Sequence, residues 1–168
     1  MNIRGIGYGI IFWTDNMRIL GIDYGEKRVG LALSSPVGFI AQGLPTLERK
    51  DGEDYLEELA EVIKEKEVGE IIVGLPKNMN DTLGEKAEEV LVFVETLKSR
   101  FGIPVHTVDE RLTTVRAHKV MSGAKISKRG KKKRVDMIAA QFILQCYLDK
   151  ISNRAVTGEY DENVSTKM

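Results

Sequence analysis

Apolar and polar residues alternate in short bursts through the early part of the chain. Arg18 to Tyr24, Arg28 to Ser34 and Phe39 to Leu47 are three such stretches, joined by glycine-bearing turns. Runs of this length and punctuation predict three strands in an antiparallel meander. The period then lengthens. Tyr55, Leu56, Leu59, Val62 and Ile63 recur at helical spacing, and Glu70 to Gly74 reads as a strand buried on both faces. Ala87, Val90, Leu91, Val94, Leu97 and Phe101 mark a second helix, stopped by Gly102 and Pro104. A strand over Val105 to Val108 follows, then a short helix from about Thr113 to Met121, capped near Leu112 or Thr113. The last helix is expected over Val135 to Ile151, with Ala139, Ala140, Phe142, Ile143, Cys146 and Tyr147 facing inward.

The order β-β-β-α-β-α-β-α-α, with right-handed crossovers, predicts an α/β domain: a mixed five-stranded sheet with helices on both faces. At 168 residues and 42% hydrophobic content the chain can bury one real core. No internal repeat or interdomain linker interrupts it. Two ends stand apart from residues 17–151. Met1 to Asn16 carries Ile10, Ile11, Phe12 and Trp13, without the pattern of a secretory signal, and reads as a dispensable extension, with an added edge strand or a partner-binding arm as the alternative. Ser152 to Met168 is polar and aperiodic, and reads as a mobile tail.

Composition excludes some functions. No run approaches the roughly 20 apolar residues of a membrane span. The one cysteine, Cys146, rules out an intramolecular disulfide, suits a reducing cytosol and reads as plain core. Net charge is zero, yet Glu53 to Glu70 is mostly acidic, whereas Lys125 to Arg134 holds Lys125, Lys128, Arg129, Lys131, Lys132, Lys133 and Arg134 with no acid. A polyanion meets that basic run and not the average. Its plainer reading is a solvated loop; contact with a nucleic-acid backbone is the reading preferred here.

Acids stand at three element ends: Asp23 after the first strand, Asp109 and Glu110 after the strand at Val105, and Asp136 at the start of the last helix. Strand termini of an α/β sheet converge on one edge, where open sheets bind ligands. Carboxylates gathered there repel one another, so a hard divalent cation with oxygen ligands is expected, Mg²⁺ first and Mn²⁺ second. That points to metal-assisted phosphodiester chemistry. Plainer roles exist for each acid: Asp23 as a turn cap, and Asp136 as a helix N-terminal charge. Alternation along a strand lets only one of Asp109 and Glu110 turn easily towards Asp23. Gly25 and Gly30 read chiefly as turn residues. His106 and His118 have no metal-ligand spacing and are expected at the surface or behind the site, and no aromatic cluster suggests a base-stacking platform.

Four motifs in order make a more specific statement. Ile22-Asp23-Tyr24-Gly25-Glu26-Lys27-Arg28-Val29-Gly30, then Ile71-Ile72-Val73-Gly74-Leu75-Pro76 with Asn78, then Asp109-Glu110-Arg111-Leu112-Thr113-Thr114, then Val135-Asp136 with Ala139-Ala140 closely resemble the YqgF family, also called RuvX. The resemblance runs from about Met17 to Ile151. It implies a ribonuclease H-like fold and a nuclease, associated with processing the 5′ end of precursor 16S ribosomal RNA and, in some members, with resolving Holliday junctions.

Carried onto this chain, the resemblance implies Asp23, Glu110 and Asp136 as catalytic metal ligands, with Asp109 behind them or as the alternative acid. Arg111 becomes a phosphate or carboxylate partner, and Lys27 and Arg28 join the basic run as nucleic-acid contacts. In RuvC the corresponding glutamate follows the fourth strand. Here that strand ends in Gly74-Leu75-Pro76, so the second carboxylate must come from the neighbouring strand. Partners implied are precursor ribosomal RNA or branched DNA and, with them, ribosomal particles. The protein is expected as a monomer or dimer, with a non-catalytic RNA-binding assembly protein as the rival of another class.

Overall fold

The computed structural model describes residues 17–50, 54–80, 82–112 and 128–157. Three strands open it, β1 (Arg18–Tyr24), β2 (Arg28–Ser34) and β3 (Ala41–Glu48), followed by helix α1 (Asp54–Glu65). Strand β4 (Val68–Leu75), helix α2 (Glu85–Phe101), strand β5 (Val105–Asp109), a 3₁₀ turn (Glu110–Leu112) and helix α3 (Lys128–Thr157) complete it. The sheet order is β3-β2-β1-β4-β5. β1–β2 and β2–β3 are antiparallel, whereas β1–β4 and β4–β5 are parallel. The expected mixed sheet is therefore present, with the meander on one side and the parallel pairs on the other.

Period-two alternation divides the strands between two cores. Leu20, Ile22, Leu31, Ile71 and Val73 turn towards α1 and α2, where Leu56, Leu59, Val90, Phe93, Val94 and Leu97 meet them. Ile19, Ala32 and Ile72 turn the other way, onto Ala140, Ile143, Leu144 and Leu148 of α3. Burial of one such Leu or Ile stabilises by roughly 1.5–3 kcal/mol, so these two layers supply most of the driving force.

Several element boundaries depart from the sequence reading. β3 starts at Ala41, because Ser35 N–H donates to the Ile40 carbonyl (2.7 Å) and Gly38 N–H to the Ser35 carbonyl (2.8 Å), closing a turn that leaves Phe39 and Ile40 exposed. α3 begins at Lys128, well ahead of Val135. Lysine and arginine are good helix formers, and the one interruption, Gly130, costs only about 1 kcal/mol. Lys128 to Arg134 is thus two helical turns and not a loop. Asp136 sits in the third turn, beyond the reach of the helix dipole, so its role as an N-terminal charge falls away. α3 also continues to Thr157, past the expected start of the tail.

The buried stripe of α3 is Ala140, Ile143, Leu144 and Leu148, flanked by Tyr147 and Ile151. Leu144 and Leu148 replace the expected Ala139, Phe142 and Cys146, which are only half-buried. Those three apolar residues flank the helix line that meets the sheet. The predicted helix at Thr113 to Met121, His118, Lys125 and residues 1–16 and 158–168 lie outside the described residues.

Candidate active site

Asp23 is the next-to-last residue of β1, the central strand. Leu20, Ile22 and Tyr24 face α1 and α2, so Asp23 faces α3. On each side of it, the neighbouring strand offers a glycine. Asp23 pairs with Gly30 of β2, and the parallel register that pairs Ile22 with Val73 puts Gly74 of β4 at the same level on the other flank.

Both glycines are occupied from above. A Cβ at Gly30 would stand 2.1 Å from the Asp136 carbonyl oxygen. A Cβ at Gly74 would stand 2.6 Å from Glu110 Oε1 and 3.0 Å from its Cγ. No side chain could be added at either place without moving α3 or Glu110. Gly30 is therefore not a turn residue, as its sequence suggested, but the floor on which Asp136 rests. The turn role belongs to Gly25, whose N–H donates to the Arg28 carbonyl at 2.9 Å.

The three acids are near enough for their charges to act on Asp23. The Asp23 carboxyl is pushed from 3.8 up to about 7, first by burial and then by the negative charges of Glu110 and Asp136, with Lys86 opposing. Burial also raises Glu110, again opposed by Lys86, and Asp109 adds to the rise. Asp109 behaves in the opposite way. Arg111 donates to it from Nε (3.0 Å), Nη2 (2.6 Å) and its backbone N–H (3.0 Å), which holds the carboxyl below its ordinary range. Arg111 Nη1 also donates to the Asn78 carbonyl at 3.2 Å, tying the end of β5 to the loop after β4. Arg111 is thus a carboxylate partner here, engaged within the fold.

Arg28, expected to touch nucleic acid, is likewise paired: its Nε donates to Asp136 Oδ2 at 2.5 Å. Among the described residues no three His, Cys, Asp or Glu side chains already stand close enough together to hold an ion. The donor chemistry nevertheless fits a hard cation. Asp23, Glu110 and Asp136 offer only oxygen, and their mutual repulsion is large enough to show in Asp23. His106 is distant in kind and place: it is exposed on β5 with Nε2 at 3.6 Å from Glu70 Oε1.

Sequence reasoning missed an aromatic group behind Asp23. On the opposite sheet face Tyr24 stacks on Phe93 (centroids 4.0 Å apart, planes at 15°). Arg49 lies over the Tyr24 ring at 4.5 Å and donates from Nη1 to the Gly25 carbonyl at 2.8 Å. The strand end and turn carrying Asp23 are therefore fixed from behind. Tyr24, Arg49 and Phe93 are scattered along the sequence, so no local pattern announced this cluster. With Phe93 and Arg49 packed against it, the Tyr24 ring is a brace and not a free stacking surface.

The chain also resembles known proteins. The family pattern described as "RuvX: Holliday junction resolvase" matches residues 17–150. A protein of Clostridium acetobutylicum named "Putative pre-16S rRNA nuclease" is 50% identical over 135 residues, covering 80% of this chain and 100% of that one. One of the same name from Thermoanaerobacter pseudethanolicus is 50% identical over 139 residues, covering 82% and 100%. The Thermus thermophilus RuvC structure superposes with a TM-score of 0.50 at 14% identity, covering 81% of this chain and 97% of that one, which speaks for the ribonuclease H-like fold alone. No helix among the described residues is long and apolar enough to cross a membrane. On the strength of the family match and of relatives half identical over their whole length, the chain belongs to the RuvX family.

Proposed function

We propose that this protein is a cytoplasmic, metal-dependent nuclease whose substrate is the 5′ leader of precursor 16S ribosomal RNA. The observation that carries the reading is the seating of Glu110 and Asp136 over Gly74 and Gly30, on either side of a half-buried Asp23. The names of relatives that match from end to end favour the RNA substrate. The description of the family pattern favours a second reading, cleavage of four-way DNA junctions, which demands paired cuts and hence a dimer.

Asp23, Glu110 and Asp136 would hold Mg²⁺ or Mn²⁺. When bound, the metal supplies Lewis-acid activation of water and neutralises charge at the phosphate. The protein's own part is positional. The Tyr24–Arg49 brace fixes Asp23, the Asp109–Arg111 pair fixes the turn that carries Glu110, and α3 carries Asp136. The two basic turns of α3, with Lys27, would hold the strand by its backbone, which positions without reading sequence. By analogy with the fold, the products are a 3′-hydroxyl and a 5′-phosphate.

The test is cleavage of a precursor 16S leader RNA and of a four-way DNA junction by purified protein with Mg²⁺, Mn²⁺ or EDTA, beside Asp23→Asn. Metal-dependent cutting of the RNA that Asp23→Asn abolishes is expected. Cleavage of the junction alone would select the second reading, and equal rates in EDTA would reject both.

A further inference from the structure

We infer that Arg28 is a latch on Asp136, opened by a nucleic-acid phosphate, so that this protein completes its metal site only when substrate is present. The inference rests on the carboxylate site proposed above. Arg28 and Asp136 are joined by the 2.5 Å Nε–Oδ2 contact, and their side chains retain 26% and 23% exposure. The pair is covered enough to persist and open enough for a ligand to reach. As they stand, the described acids do not form a set of three able to take an ion. The carboxylate of Asp136 is already joined to a cation, Arg28.

The backbone around this pair is fixed, so only side chains need move. Asp136 is held by its carbonyl over Gly30. Arg28 is held at the close of the β1–β2 turn, where its carbonyl accepts from Gly25 N–H. An arginine guanidinium carries five donors in a rigid fork that matches phosphate, and a phosphate competes with a carboxylate for it. Lys27, exposed beside it in the turn, adds attraction for the same anion. A phosphate that draws Arg28 away frees Asp136 for the cation. By linkage, the metal then tightens nucleic-acid binding by the same factor.

The test is Mn²⁺ binding, read from the loss of the free-ion electron paramagnetic resonance signal, with and without a hydrolysis-resistant phosphorothioate oligonucleotide. In the wild type the oligonucleotide should raise Mn²⁺ affinity about tenfold, an ordinary size for coupling between sites. Arg28→Gln should bind Mn²⁺ about tenfold more tightly than wild type without oligonucleotide, and gain nothing further on adding it. Arg28→Lys keeps the charge but loses the fork, so its unaided affinity should lie between the two; this variant decides the matter if Arg28→Gln does not fold. Lys86→Gln removes a cation that faces Asp23 and Glu110 without touching Asp136, and should leave the oligonucleotide coupling intact.

Equal affinities for wild type and Arg28→Lys, or undiminished coupling in Arg28→Gln, would overturn the latch while leaving the carboxylate site standing. Unaltered Mn²⁺ binding by Asp23→Asn would instead remove the site itself, and the latch with it.

Discussion

The carboxyl of Glu110 fills the space that a side chain at Gly74 would take, its Oε1 lying 2.6 Å from the position of the missing Cβ. The end of β4 supplies no acid, and its lack of any side chain admits one from β5. Gly74→Ala should therefore displace Glu110 and Ile143, whose Cδ1 lies 2.5 Å from the same point. Overpacking of this kind costs about 1–3 kcal/mol. Cleavage should fall further than that loss of stability explains, with the protein still folded at the assay temperature. Activity beside a melting curve checks this, and unchanged activity would show that Glu110 need not be where it stands.

Removing charge at Asp23 should stabilise the metal-free protein above neutrality. Its carboxyl titrates near 3.8 when unfolded and at about 7 when folded, so the folded state binds the proton more tightly. Stability from this acid is complete below pH 4 and declines as pH rises towards 7, by as much as ~4 kcal/mol. Asp23→Asn should lose that decline and be the more stable protein at pH 8. Urea melts in EDTA between pH 4 and pH 8 provide the measurement. A mutant no more stable than wild type at pH 8 would mean that neither burial nor the neighbouring carboxylates raise the Asp23 carboxyl.

Adjacent acids should differ sharply. Loss of an outer partner of a metal ligand costs about 10–100-fold, so Glu110→Gln should exceed about 100-fold in cleavage while Asp109→Asn stays within that range. Asp109→Asn should instead lower stability by about 1 kcal/mol, because it releases Arg111 from a half-exposed pair. Paired rate and stability measurements decide it, and the reverse order would exchange the two roles.

Replacing Lys131, Lys132 and Lys133 together by alanine should weaken RNA and DNA binding alike. The salt dependence of affinity should flatten by about 0.7 to 0.9 per lost phosphate contact, the smaller figure for single strands. Affinity should suffer more than turnover on bound substrate. A salt titration with an unchanged slope would reduce this stretch of α3 to a solvated helix.

The fold was legible because strand alternation, glycine punctuation and the Gly102–Pro104 stop are local signals. Gly102 closes α2 in the left-handed conformation (φ 63°), donating to the Lys98 carbonyl. Asp23 and the Asp109–Glu110 pair do stand at strand ends, as read, whereas Asp136, expected at a helix start, lies in the third turn of α3. What stayed hidden depends on contacts across the chain. The basic run gave no apolar period, so its helical state did not register, although Lys and Arg favour a helix. Leu144 and Leu148 were passed over because α3 carries apolar residues on either side of its buried line. Nothing near Gly30 in sequence shows that Asp136 rests on it, and nothing near Arg28 shows that it already holds an aspartate.

The strand at the centre of the sheet is among the first parts of this chain to be synthesised, and the helix that brings Asp136 across Gly30 is the last described element. Asp23 leaves the ribosome long before its partners. A growing chain, or one cut short before α3, has β1 and the meander but lacks Asp136 and the α3 side chains that pack on one sheet face. Asp136 thus joins Asp23 and Glu110 only after α3 has been made and has settled across Gly30.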